Sequence, residues 1–142
     1  MSYSTDIQRA ARENDDFRRV LYTTERTQLV LMSVQPGDDI GLEIHDLDQV
    51  LCFVSGTGYS VLAGKRSPVG PGTVVVVPAG TEHNFVNTGS EPLKLFTVYA
   101  PPEHPDGTVH RTRAEAEAAE AAEHAAKAQQ GGGFTVGSLR RG

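Results

Sequence analysis

Four residues of types that bind metal ions, Glu43, His45, Gln49 and His83, stand at spacings that a β-rich chain can bring to one point. In the run IGLEIH, Glu43 and His45 are two apart, so in extended backbone both project from the same face. A carboxylate and an imidazole placed this way form a good chelate. The Asp46 to Asp48 stretch reads as a turn, and Gln49 opens the next run, where its amide can return a third donor to the same place. His83 begins a later run, just after the turn Pro78-Ala79-Gly80. Two imidazoles, one carboxylate and one amide are borderline donors. They suit one divalent transition metal (Zn, Mn, Fe, Ni or Cu) and suit Ca or Mg poorly. Without Gln49, the remaining three have the make-up of a two-His, one-carboxylate facial triad, the arrangement of non-haem iron oxygenases. The alternative is that all four are hydrogen-bonded polar groups, with His83 a satisfied core histidine. Against this, four such groups in an apolar interior are costly to bury unless something shares their lone pairs.

The neighbours of these residues suggest a cavity. Leu51 and Phe53 share the parity of Gln49, and Phe85 that of His83, so they are expected to form the apolar wall of a small-molecule pocket. Tyr59 and Tyr99 either add a phenol to that wall or are ordinary packing. Cys52 has the opposite parity and points away as a small hydrophobe. The proline-stiffened stretch after Tyr99 carries Glu103 and His104, and it reads either as a lid or as a simple redirection of the chain. His104 and Tyr99 are the candidate acid–base residues. No Arg or Lys is obviously aimed at the cavity.

These side chains need a scaffold, and the chain of 142 residues has the length of one domain. Between Phe17 and Tyr99 short β-branched and aromatic runs alternate with Gly, Pro, Asn and Asp, the pattern of a sandwich or barrel. The runs FRRVLYT, TQLVLMSV, IGLEIH, QVLCFVSG, GYSVLAG, TVVVVP, HNFVNT and PLKLFTVYA predict about eight strands. TVVVV lacks alternation and is expected to be buried on both faces, and PLKLFTVYA to lie partly at a surface. Thr5 and Gln8 predict a capping box for a short helix through about Arg12, and Thr112 and Glu115 another for an Ala/Glu-rich helix, with Glu123 and Lys127 as a supporting pair. The second helix lacks a stripe of large apolar residues, so it is expected to be a largely solvated appendage. The expected division is an N-terminal helical arm (1–16), a barrel (17–110), and a C-terminal helix and flexible tail (111–142). Phe134, Val136 and Leu139 in that tail are open to docking or to disorder.

Bulk properties narrow the function. A net charge of -5, with only 13 Lys and Arg, argues against nucleic acid. No run approaches a membrane span or a secretory leader, and the single cysteine excludes an internal disulfide, so a cytoplasmic protein is expected, with no membrane partner.

The spacing of these residues resembles that of the cupins. That family's first motif runs Gly, five residues, His-x-His, three residues, Glu, six residues, Gly. Here Gly37, Glu43, His45, Gln49 and Gly56 occupy the same frame. The second motif, Gly, five, Pro, one, Gly, two, His, three, Asn, is matched by Gly72, Pro78, Gly80, His83 and Asn87. The resemblance covers about Gln35 to Asn87 and implies an all-β jelly-roll β-barrel or sandwich, flanked here by the two helices. It also implies a metal held by Glu43, His45, Gln49 and His83, and a homodimer. Glu43 replaces the family's usual first His and Gln49 its Glu, so the anion has moved without vanishing. One Gln, one Glu and two His also resemble the metal site of type I phosphomannose isomerases, in a different chain order. The implied activity is a metal-dependent isomerase or epimerase on a small hydroxycarbonyl or sugar-like compound. The alternatives are a non-haem iron dioxygenase and a non-catalytic metal- or ligand-binding protein.

Overall fold

The computed structural model describes residues 2–131, with side chains through residue 126 except that of residue 124. The Glu123–Lys127 pair and the tail residues Phe134, Val136 and Leu139 lie outside the described residues. Helix α1 (Ile7–Glu13) is followed by β1 (Arg18–Thr23), β2 (Gln28–Val34), β3 (Asp48–Ser55), β4 (Gly58–Leu62), β5 (Lys65–Val69), β6 (Val74–Val77), β7 (His83–Asn87), β8 (Leu93–Ala100), β9 (Val109–His110) and helix α2 (Arg113–Gly131). The strands pair antiparallel in two sheets, ordered β6-β3-β8-β2-β1-β9 and β5-β4-β7. Together they form the jelly roll expected from the alternating texture.

The core lies between the sheets. β8 is central and buries every second residue from Leu93 to Tyr99, the period that a sheet with one face inward requires. Val30, Met32, Leu51, Phe53 and Phe85 join it, with the Phe53 and Phe85 rings 5.6 Å apart across the two sheets. Each such side chain contributes roughly 1.5–3 kcal/mol on burial. Gly56 has φ +88°, and a Cβ there would lie 2.5 Å from the Pro92 carbonyl oxygen. The glycine closing the first motif is therefore set by a close backbone approach as well as by its dihedral.

Several elements differ from the sequence expectation. The IGLEIH run is not a strand. It follows β7 through two isolated bridges, Asp39 with Val86 and Glu43 with His83, and its backbone breaks at Gly41, where φ is +110°. TVVVV is not buried on both faces: as β6 it pairs only with β3 at the sheet edge, and Val74 and Val76 are 57% and 58% exposed. An unbroken apolar run cannot itself distinguish a buried strand from an edge. The polar run KRSPV, not expected to be a strand, is β5, paired to β4 across the positive-φ turn Ala63-Gly64. Its Pro68 is tolerated because β5 is also an edge.

The N-cap of α1 is Asp6 rather than Thr5. Its carboxylate accepts from the Arg9 amide at 3.1 Å, where an anion also meets the positive helix end. The capping residues of α2 are those expected: Thr112 Oγ1 accepts from the Glu115 amide, and the Glu115 carboxylate accepts from the Arg111 amide. α2 is mostly exposed, as expected, and is docked through a few residues of its first turns. Ala116 is 2% exposed within the core cluster, and Arg113 pairs with Asp38 and Asp39. A small residue suffices for the contact, which is why no stripe of large apolar residues announces it. Among the described residues no helix is long and apolar enough to cross a membrane.

Candidate metal centre

Glu43 and His83 are set opposite each other by reciprocal backbone bonds of 2.9 Å, Glu43 N–H to His83 carbonyl and His83 N–H to Glu43 carbonyl. The turn before β7 adds a third tie, the Gly80 amide donating to the His45 carbonyl at 2.7 Å. Alternation along this non-strand segment puts Leu42 and Ile44 outside, at 61% and 39% exposed, and buries Glu43 and His45. The side chains of Glu43, His45 and His83 offer ligand atoms that all lie within 4.8 Å of one another. Glu43 Oε1 is 3.1 Å from His45 Nε2 and 4.0 Å from His83 Nε2.

The hydrogen bonds fix which atoms face the centre. His83 Nδ1 is 2.8 Å from the Thr81 carbonyl, which can only accept, so Nδ1 carries the proton and Nε2 is left with a lone pair. That Nε2 is buried with no hydrogen-bond partner among the described residues. Burial also pulls the His83 pKa below the usual imidazole value, outweighing the opposing effects of the Thr81 bond and of Glu43, which favours the neutral form that binds metals. Gln49, 3% exposed, lies on β3, and its Nε2 donates to Thr97 Oγ1 at 3.0 Å. The Thr97 hydroxyl in turn donates to the Val50 carbonyl, which orients the amide and leaves Gln49 Oε1 buried without a partner among the described residues.

The other expected site residues divide. Leu51, Phe53 and Phe85 are interior, and the Phe85 ring centroid is 6.2 Å from that of His83. Tyr99 is 2% exposed and contacts His45 edge-on at 6.0 Å, so it adjoins the cluster, and His104 lies behind it, 5.2 Å from the Tyr99 ring. Burial raises the Tyr99 pKa well above the ordinary phenol value, with Arg18 opposing. Tyr59 does not line the cavity. It pairs with Val86 and Pro68 on the face of β4 opposite Ser60, which pairs with Phe85, and its ring is covered by the Arg66 guanidinium at 4.3 Å. Its parity on β4 decides this, since it is one residue out of step with the inward positions. Cys52 points outward, beside Gln8 and Phe96.

Two neighbours of the cluster were not expected from sequence. Glu103, 7% exposed, places Oε2 3.5 Å from His45 Nδ1. Its loop is pinned rather than loose: Gln28 Oε1 accepts from the amides of Glu103 and His104, and Gln28 Nε2 donates to the His104 carbonyl. The second is Arg18, 2% exposed, which donates to His110 Nδ1 at 3.2 Å and sits 3.5 Å from Glu120 on α2. Arg18 thus brings a buried positive charge close enough to act on Tyr99, with its guanidinium held by His110 and facing Glu120. The signal was the inward parity of Arg18 relative to Arg19 in FRRVLYT.

The Glu120 carboxyl is pushed up to about 7, by burial first and by Glu43, Glu123 and Glu103, with Arg18 opposing. The folded chain holds this proton more tightly than the unfolded chain, so the group's stabilisation is full below about pH 4.5 and is lost as pH rises to about 7. Glu120→Gln cannot ionise. Its urea midpoint should gain on wild type across that window and run level with it below. A constant difference from pH 4 to 8 would rule Glu120 out as the cause.

Comparison with known proteins decides the family. The cupin domain family model matches residues 30–99. The Bacillus subtilis protein YrkC is 48% identical over 126 residues, covering 83% of this chain and 67% of its own. The chain belongs to the cupin superfamily. Its likeness extends to the mimivirus protein L612 of Acanthamoeba polyphaga mimivirus, 38% identical over 75% of this chain and 70% of that protein. The crystal structure of BH2720 from Bacillus halodurans superposes with a TM-score of 0.82 at 43% identity, covering 83% of this cupin and 95% of that chain. YrkC and L612 are both described only as uncharacterized, so these relatives bring the fold and no activity.

Proposed function

We propose that this cupin binds one divalent transition-metal ion through Glu43, His45 and His83, with Gln49 Oε1 as a fourth donor. We propose further that it acts as an isomerase or epimerase on a small hydroxycarbonyl or sugar-like molecule. The observation that carries the reading is the pair of buried acceptors lacking hydrogen-bond partners among the described residues, His83 Nε2 and Gln49 Oε1, beside a buried carboxylate. Unmet acceptors in a barrel interior are costly, and a cation satisfies them. A bound divalent ion supplies Lewis acidity at a carbonyl or hydroxyl oxygen. Tyr99 and His104 are the acid–base pair, chosen because Tyr99 contacts His45 on one side and His104 on the other. Leu51, Phe53 and Phe85 keep water from the reacting centre.

A second reading, a non-haem iron dioxygenase, draws on the make-up of the three-residue group, which is two His and one carboxylate. Incubation of metal-loaded protein with aldoses, ketoses and hydroxy acids in D2O separates the two. The isomerase reading expects deuterium at the carbon next to the carbonyl, read by NMR. Oxygen consumption with Fe(II) and no exchange would move the assignment to the dioxygenase. A ligand retained through purification, with neither reaction, would leave a binding protein. The proposed assembly is a homodimer, which sedimentation equilibrium reads directly.

A further inference from the structure

We infer that Glu103 is a positioning residue for His45. This rests on the metal reading above. The His45 ring stands between two carboxylates, with Glu43 Oε1 3.1 Å from Nε2 and Glu103 Oε2 3.5 Å from Nδ1. Glu43 belongs to the group that converges with His83, and Glu103 does not. In this structure Nε2–H donates to the Glu43 carboxylate at 3.1 Å; once Nε2 gives its lone pair to a cation the ring proton moves to Nδ1, where Glu103 is the carboxylate within reach at 3.5 Å. On His83 the Thr81 carbonyl already accepts from Nδ1–H at 2.8 Å, so with a cation on the inner side both rings turn an outward nitrogen toward an oxygen. An outer acceptor fixes tautomer and ring orientation and makes the inner nitrogen more basic. On His45 that group is an anion at 3.5 Å, beyond ordinary hydrogen-bond length, so it acts on Nδ1–H through its charge.

The arrangement is built. Glu103 is 7% exposed, and both its amide and that of His104 donate to Gln28 Oε1, at 3.1 and 3.0 Å. Gln28 is itself 1% exposed on β2, in the cross-strand row that runs through Tyr99 to Gln49. The loop after β8 is thereby registered to the strand that bears Gln49. The role of that loop is to hold an imidazole, and Glu103 is the group that does so.

The test uses full-length protein and Co(II). Glu103→Ala should weaken Co(II) binding by about 10- to 100-fold in calorimetry and alter the visible spectrum of the bound ion. Glu103→Gln, whose amide oxygen still accepts from Nδ1–H, should recover part of the affinity. Thermal midpoints of the metal-free variants control for folding. A long-range proton–nitrogen NMR spectrum of the Zn(II)-loaded wild type should show His45 protonated at Nδ1, and Glu103→Ala should shift that Nδ1 resonance. If wild type binds Co(II) and Glu103→Ala binds it equally with an unchanged spectrum, the inference is overturned and the metal reading stands. If wild type binds no Co(II), the metal reading falls and the positioning role falls with it.

Discussion

His83→Ala should abolish the stabilisation that Zn(II) or Co(II) gives the wild-type protein and lower affinity for either ion by more than about 100-fold, a larger loss than changes beyond the direct ligands produce. The substitution removes a neutral imidazole whose lone pair is preset by the Thr81 bond, and it leaves the Glu43 carboxylate to face His45 alone. Metal at about a thousandfold excess over its Kd stabilises a native site by about 4 kcal/mol. For a chain of this size that is about 10 °C in Tm. Differential scanning fluorimetry with and without metal reads both proteins at once. The metal-free variant should melt near the metal-free wild type, because alanine also removes an unpartnered buried nitrogen. An equal metal-induced shift in both proteins would take His83 out of the ligand set.

Arg18→Ala should be the most damaging change away from that cluster, at about 3 kcal/mol or more in urea denaturation. Arg18 is among the largest fully buried side chains, and its guanidinium bonds His110 and faces Glu120. Removing it empties space under α2 and leaves Glu120 with the carboxylates of Glu43, Glu103 and Glu123 and no cation to oppose them. The cost should therefore be greater at pH 8, where Glu120 is ionised, than at pH 5, where it is not. A cost that is small, or the same at both pH values, would mean that the guanidinium does not balance these acids.

The metal-type cluster was legible in the chain because its information is local. Glu43 and His45 are fixed by parity, and parity survives even though their segment is not a strand, since bridges to β7 keep it extended. His83 is marked by the turn that precedes it. The fold was legible because glycines such as Gly56 answer a close approach that no other residue fits. What escaped depends on position within the sheets. The valines of β6 look like a core strand, yet their neighbours lie on one side only, and Tyr59 has the right residue type on the wrong face. Glu103 and Arg18 escaped for a related reason. Each reaches its partner across more than fifty residues of sequence, Glu103 to His45 and Arg18 to Glu120, and no local pattern carries that register.

The most direct measurement is the metal content of protein purified without a metal-affinity tag, beside the Glu43→Ala/His83→Ala double variant, by inductively coupled plasma mass spectrometry. The expected result is close to one transition-metal ion per wild-type chain and essentially none in the folded variant. Equal content in the two, or a wild type that stays empty after dialysis against Zn, Mn, Fe, Ni and Cu, would contradict it.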